Sequence, residues 1–361
     1  MANAVAIVAL MCAIVVLLPP PAGSVRFQFE EEDMATEEAM SALYQRWAAH
    51  HRVARNVAET ARRFDIFKDK VRRIHAFNKQ GNAPFFLGLN QFGDMTEAEV
   101  DKTYGDCSTS IAYESDGAWP TGPAPTDASR VLILPPPEQV DWRQKGVVTA
   151  VKNQGPCQAC WAFAAIAAVE SLNAIKTGQL YDLSEQAVVD CADPPNEGCE
   201  GGLAAEALRF MSMQGRQNGA FSEDAYPYRF GDRTSGACAV GHLTPQVRYH
   251  GYRMVLPRND ATTLMRAVAP QPVAVRITAN GTAFNNYGGG IFIGPCTTEL
   301  GHAVVVVGYG TEHGHPYWVV KNSWGDEWGE EGYICMSQVA GKEDEGGLCG
   351  ILREPSYPVW A

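Results

Sequence analysis

The chain has 361 residues, 46% of them apolar, and a formal net charge of -12 at pH 7. That length and composition suit a globular protein of about two domains plus processed segments. The acidity, with no basic run interleaved with aromatics, excludes nucleic acid as an expected partner.

Ala4 to Leu18 is an unbroken apolar run, followed by prolines and then Ala22, Gly23 and Ser24. This pattern predicts a signal peptide over residues 1–24. It falls short of the about 20 apolar residues that a membrane span needs, so no membrane association is expected once it is removed. No Lys or Arg precedes the run, which leaves the positive charge to the amino terminus. Export places the ten cysteines in an oxidising compartment, where disulfides form. Cys12 would leave with the signal.

Met34 to Asn78 contains neither Pro nor Gly, and Ala58, Ala61, Phe64, Phe67, Val71 and Ile74 recur at helical spacing. Two amphipathic helices are predicted, with Glu59 and Arg63, Asp65 and Lys68, and Asp69 and Arg73 as charge pairs on their outer faces. Glu59, Arg63, Phe67, Ile74 and Asn78 also fall at the spacing of the ERFNIN pattern, with Lys70 in place of its first Asn. Further on, Gly88, Asn90, Phe92 and Asp94 match the GNFD pattern. On these two motifs the segment resembles the propeptides of papain-like cysteine proteases.

From Tyr104 to Pro137 the chain turns rich in Pro, Gly, Ser, Thr and Asp. It reads as an exposed linker, too long for an ordinary loop, with a maturation cut near Arg130 to Pro136. Cys107 stands alone within it.

Next comes Asn153-Gln154-Gly155-Pro156-Cys157-Gln158-Ala159-Cys160-Trp161, a polar loop that delivers Cys160 onto a helix running to about Lys176 and stopped by Gly178. Apolar residues on nearly all its sides predict burial against several neighbours. A thiol at a helix N-terminus sits at the positive end of the macrodipole, which favours the thiolate. Ser184 is the expected N-cap of a short helix, and another helix is predicted over Ala204 to Met213. Strands are predicted at Val273 to Ile277, Ile291 to Ile293, Ala303 to Tyr309, Tyr317 to Lys321 and Gly332 to Met336. The expected fold class is therefore α+β, with a cleft between a helical half and a β-rich half.

A thiol nucleophile needs a base, a group to orient that base, and donors for an oxyanion. His302 stands at the head of the strand Ala303 to Tyr309, and Asn322 follows the next strand, with the aromatic Trp324 two residues on. A different reading takes Cys157-Gln158-Ala159-Cys160 as a CxxC thiol–disulfide exchange motif, but it explains neither His302 nor Asn322. A non-catalytic binding protein on the same fold is a third reading, opposed by the intact set of Gln154, Cys160, His302 and Asn322. Transglutaminase chemistry uses a similar triad, whereas the propeptide motifs point to proteolysis.

From about Leu134 to the C-terminus the chain resembles a papain-like cysteine endopeptidase. The resemblance implies a two-domain fold, a helical left domain and a β-barrel-like right domain with the active-site cleft between them. It implies a helical inhibitory propeptide over residues 25–133 and a mature domain over 134–361, made as a latent zymogen that acid releases. Cys160 is then the nucleophile, His302 the base and acid, and Asn322 the residue that orients the imidazole. Gln154 and the Cys160 N–H would form the oxyanion hole, and Trp324 would shield the Asn322–His302 bond. Neither a metal nor a cofactor is implied.

The same resemblance pairs Cys157 with Cys199, Cys191 with Cys238 and Cys296 with Cys349, leaving Cys335 as a buried, unpaired thiol. It gives Gly201 and Gly202 the role of binding extended substrate backbone, and lines the pocket for the second residue before the scissile bond with Leu203, Ala204, Arg276, Leu300 and Glu354. Arg276 stands where a small aliphatic residue is usual, and Glu354 lies at the pocket floor. The two are expected to pair, since an unpaired buried carboxylate is costly. Gly301 stands where papain carries Asp. Asn280-Gly281-Thr282 is a candidate glycosylation sequon. Protein and peptide substrates, a monomer, and an extracellular or acidic lysosome-like or vacuolar location within the secretory pathway complete the expectations. No C-terminal retrieval signal is recognised.

Overall fold

The computed structural model describes residues 26–107, 135–213, 219–229, 236–297, 299–341 and 345–360. The expected signal peptide and most of the linker lie outside them.

Two helices open the described chain, α1 (Glu37–His50) and α2 (Val57–Gln80). Thr36 caps α1 by accepting from the Ala39 N–H, Asn56 caps α2 through the Glu59 N–H, and Gly81 ends α2 in a left-handed conformation. Their facing sides bury Met40, Leu43, Trp47, Phe67, Val71 and Ile74; of the residues expected on the apolar face Phe67, Val71 and Ile74 are buried, whereas Phe64 is half-buried and Ala58 and Ala61 are exposed. The charge pairs agree less well. Asp65 meets Lys68, but Asp69 lies near Arg72 while Arg73 reaches Glu97. Arg63 turns inward, away from Glu59, and donates to Glu99 at 2.6 Å and to the Asp94 carbonyl at 3.1 Å. Its side chain is buried, and a buried guanidinium must satisfy its donors within reach.

After α2 come β1 (Phe85–Leu87) and a short helix α3 (Glu97–Val100), whose Thr96 and Glu99 form a reciprocal capping box. Beyond residue 134 come β2 (Val140–Asp141), then α4 (Cys160–Thr177), α5 (Glu185–Cys191) and α6 (Ala204–Ser212). Ser184 caps α5 as expected. Beyond them lie β3 (Gly251–Met254), α7 (Ala261–Val268), β4 (Val273–Ile277), α8 (Gly281–Asn285) and β5 (Tyr287–Phe292). The chain ends with β6 (His302–Glu312), β7 (His315–Lys321), β8 (Tyr333–Ser337) and β9 (Ser356–Val359).

The strands form one sheet in the order β1-β5-β8-β7-β6-β4-β9-β3, with β2 also paired to β6. Its first strand belongs to the helical prosegment: β1 adds antiparallel to β5 and so covers an edge that would otherwise expose unpaired backbone groups. β6 is the divider of the molecule. Val304 and Val306 face a core shared with the prosegment helices, whereas Ala303, Val305 and Val307 face the core built on α4. Burial on both faces explains the continuous apolar run of β6.

The helical half is tied to the opening loop by a buried ionic cluster. Lys152 lies 3.1 Å from Glu170 and 2.8 Å from Glu185, both of which are buried. Burial alone would lower the Lys152 ammonium, but the two carboxylates hold it above its ordinary range. The cluster fixes the residue two positions before Gln154.

Candidate active site

Cys160 is the first residue of α4, so its N–H is one of the helix donors without an intrahelical acceptor. The antiparallel pairing of β6 and β7 brings the start of one strand beside the end of the other, and so His302 beside Asn322. His302 Nε2 lies 2.8 Å from Asn322 Oδ1. An amide oxygen only accepts, so Nε2 carries the proton and Nδ1 keeps the lone pair. Nδ1 is buried without a hydrogen-bond partner. A ring nitrogen of His302 and the sulfurs of Cys160 and Cys107 lie within 4.8 Å of one another.

Gln154 is fully buried and its amide is oriented from both ends. Nε2 donates to the Cys157 carbonyl at 3.1 Å, and Oε1 accepts from the Ser323 hydroxyl at 2.6 Å. One N–H of that amide remains for a ligand. The Trp324 ring lies 5.0 Å from the imidazole and is fully buried, so water has no path to the His302–Asn322 bond from that side. Two contributors escaped the sequence reading: Ser323, which orients Gln154, and Ala303, whose N–H donates to Cys160 Sγ at 3.1 Å. Both sit next to residues that were singled out, and neither type signals such a role.

The pocket residues also come together. Arg276 Nη1 lies 2.9 Å from Glu354 Oε2, and Nη2 donates to the Leu300 carbonyl at 2.9 Å. Leu203, Ala204, Arg276 and Glu354 line one small cavity with Met254 and Ala274. The expected pairing is therefore present. Gly201 and Gly202 lie on the helical wall. A Cβ at Gly202 would come within 2.5 Å of the Trp161 ring, which leaves no room there for a side chain. The sequon residue Asn280 stands just before α8, whose Thr282 hydroxyl bonds to Glu97 of the prosegment.

The disulfides Cys157–Cys199, Cys191–Cys238 and Cys296–Cys349 are formed, which takes Cys157 out of any redox pair with Cys160. Two cysteine expectations need correction. Cys335 is buried but disulfide-bonded, with its partner outside the described residues. Cys107 is not an isolated residue in an exposed linker: it is buried in the cleft, with its sulfur brought against that of Cys160. Residues 104–107 lie in the cleft because the backbone there is gripped by both walls, with the Trp324 indole donating to the Tyr104 carbonyl at 3.2 Å. In this latent form burial lowers the His302 imidazole to about 4, only partly offset by its bond to Asn322. The thiolate–imidazolium pair belongs to the molecule after the prosegment has left.

Comparison with known proteins agrees over nearly the whole chain. Residues 136–359 match the model described as papain family cysteine protease, and residues 44–100 match the cathepsin propeptide inhibitor domain. Thiol protease SEN102 of Hemerocallis is 45% identical, covering 92% of this chain and 89% of its own. Cysteine proteinase EP-B 1 of Hordeum vulgare is 46% identical over 91% of this chain and 87% of its own. Among solved structures, the proform of the ragweed pollen cysteine protease Amb a 11 superposes with a TM-score of 0.80 at 38% identity, covering 93% of this chain and 89% of that one. A recombinant stem bromelain precursor gives 0.76 at 39% identity, covering 89% and 99%.

Proposed function

Because the chain belongs to the papain family of cysteine proteases and carries that family's propeptide inhibitor domain, we propose that Cys160, His302, Asn322 and Gln154 perform the hydrolysis of peptide bonds. The protein is a cysteine endopeptidase made as a zymogen. The observation that carries the residue assignment is the placement of one imidazole between a sulfur and an amide, its Nε2 proton committed to Asn322 and its Nδ1 unpartnered.

In the mature enzyme His302 takes the proton of the Cys160 thiol, and the thiolate attacks the substrate carbonyl. The resulting oxyanion accepts from Gln154 Nε2 and the Cys160 N–H. His302 then protonates the leaving amine. Water, losing its proton to His302, releases the acyl group and restores the thiol. Asn322 holds the imidazole through both steps, and Trp324 keeps water from its bond.

The proposal assigns residues 1–24 to a signal peptide, 25–133 to the propeptide and 134–361 to the mature enzyme. The substrate's extended backbone would lie along Gly201 and Gly202. Its second residue before the scissile bond would enter the cavity of Leu203, Ala204, Arg276, Leu300 and Glu354. With Arg276 paired to Glu354, that cavity favours a small apolar side chain. In Arg276→Ala the Glu354 carboxylate loses its cation, and a peptide library is expected to show at least a roughly tenfold shift toward Lys or Arg, the selectivity that about 1.4 kcal/mol confers. Unchanged selectivity would contradict the pairing as the determinant.

The chain is assigned to the secretory pathway, to an extracellular or acidic vacuole-like destination, and to a monomer. The cysteine bonding and the apolar N-terminal run support this, and no helix among the described residues is long and apolar enough to cross a membrane. Asn280 is the proposed glycan acceptor. The catalytic assignment is tested by acid activation in the presence of thiol, followed by labelling with an epoxide thiol trap. Wild type should be labelled and Cys160→Ala should not; equal labelling of both would overturn the assignment.

A further inference from the structure

Cys107 is not needed for a prosegment that merely blocks a cleft, yet the fold delivers its sulfur to the one cysteine on which the proposed chemistry depends. The delivery is made by backbone. The Cys107 N–H donates to the Gly301 carbonyl at 2.6 Å, and the Gly202 N–H donates to the Cys107 carbonyl at 3.0 Å, so one bond reaches each wall of the cleft. The approach depends on two missing side chains. A Cβ at Gly105 would come within 2.5 Å of the Ala279 carbonyl oxygen, and one at Gly301 within 3.0 Å of the Gly105 carbonyl oxygen. The Cα atoms of Cys107 and Cys160 end 6.3 Å apart, within the span a disulfide bridges. Cys107 is 2% exposed and shares the α4 core with Cys160. Cys157, the nearest alternative partner in sequence, is already bonded to Cys199.

We propose that Cys107 is a thiol–disulfide exchange site that locks the nucleophile covalently in the zymogen, and that its ligand is a low-molecular-mass or protein thiol. This proposal rests on the reading of Cys160 as nucleophile. The lock forms in the oxidising secretory pathway by exchange with a disulfide oxidant, which takes up the two electrons and two protons of the Cys107 and Cys160 thiols. It opens when a thiolate attacks Cys107 Sγ. A new sulfur–sulfur bond forms there, the bond to Cys160 breaks, and its electron pair leaves on Cys160 as thiolate. A second thiolate then attacks the sulfur of the first, the bond to Cys107 breaks with its electron pair leaving on Cys107 Sγ, and the products are the oxidised reductant and a free Cys107. Attack falls on Cys107 because Cys160, at a helix N-terminus, is the better leaving thiolate. Both sulfurs are buried, so the exchange needs the cleft segment to loosen first.

A cut in the chain between Cys107 and the mature domain does not free the enzyme in this scheme, since the prosegment stays attached through sulfur. The test uses the secreted precursor, from which residues 1–24 have been removed, purified without reductant and nicked by an added protease on the mature side of Cys107; free thiols are alkylated only in the portion taken for electrophoresis. In denaturing electrophoresis the two fragments should travel together without reductant and separately with it. In Cys107→Ser they should separate in both cases, and acid alone should make Cys160 reactive to the epoxide trap, a reaction lost in non-reduced wild type. Separation of the wild-type fragments without reductant would overturn the lock. If reduced, matured wild type and Cys107→Ser both failed to take the epoxide, the protease reading itself would fall, a result distinct from loss of the lock alone.

Discussion

The helical body of the prosegment and the segment it sends into the cleft are held by different chemistry, and the difference says which signal each answers to. In the body, buried charges organise the fold: Asp94, fully buried, accepts two bonds from Arg55 at 2.9 and 2.8 Å and one from the Tyr44 hydroxyl at 3.1 Å. Glu99 holds Arg63, and Lys70 donates to the Phe92 carbonyl at 2.6 Å. In the cleft the contacts are rings, carbonyls and sulfur. Phe92 stands edge-on to Trp324 at 5.5 Å, Gln91 donates to the Trp324 carbonyl at 2.7 Å, Gln158 donates to the Lys102 carbonyl at 3.0 Å, and the Cys107 sulfur lies against that of Cys160. In the first set Glu99 is the carboxylate that acid reaches, and thiols act on the last member of the second.

The largest effect that would break this contrast is expected in the cleft. Phe92→Ala removes a fully buried ring from Trp324 and should cost about 3–5 kcal/mol of precursor stability in denaturant unfolding. Its loss should be nearly the same at neutral and mildly acidic pH. Arg55→Ala strands a buried carboxylate and should cost roughly 3 kcal/mol, somewhat tempered because Arg55 is partly exposed. In the presence of thiol it should release activity at neutral pH, where wild type stays latent; retained latency would show that the body's charges do not hold the lock's support.

The smallest effect concerns pH. Burial raises the Glu99 carboxyl, but the Arg63 guanidinium and the Thr96 groups outweigh it and bring it to about 2. A carboxyl depressed in the folded state adds stability above its unfolded value of about 4.3 and loses it as pH falls toward about 2. Glu99→Gln should therefore flatten the acid limb of prosegment unfolding in that window, by less than the other two changes because Glu99 is about a third exposed. Glu327, lowered by its bond to His51, places a second contribution of the same sign at the boundary with the mature domain. An acid limb that moved with Glu327→Gln and not with Glu99→Gln would shift the proton-sensitive element from the body to that boundary.

Much of this was legible from residues alone. α4 announced itself through its alanines and Gly178, and β6 through its valines, because each is buried on all sides and carries an unbroken apolar pattern. Cys160, His302 and Asn322 were singled out as a set, by a helix start and two strand ends taken together, and their proposed roles came from the family resemblance. Other features had no local signal. β1 is three residues long and exists only because β5 offers an edge, while β3 (Gly251–Met254) pairs with β9 (Ser356–Val359) across a long stretch of chain and both are too short to show a period. The inward turn of Arg63 depends on where Glu99 arrives. The approach of Cys107 to Cys160 spans a sequence separation of 53 and is set by backbone bonds to Gly301 and Gly202, which composition does not show.

The central claim is that release needs two signals, protons for the helical body and thiol for the cleft. It is tested most directly by exposing the full-length precursor to each combination of neutral or acidic pH with or without a small thiol, and then counting epoxide-labelled Cys160. The account expects substantial labelling only when acid and thiol are combined. Full labelling by acid alone would contradict the sulfur lock, and full labelling by thiol at neutral pH would contradict the hold of the charged helical body.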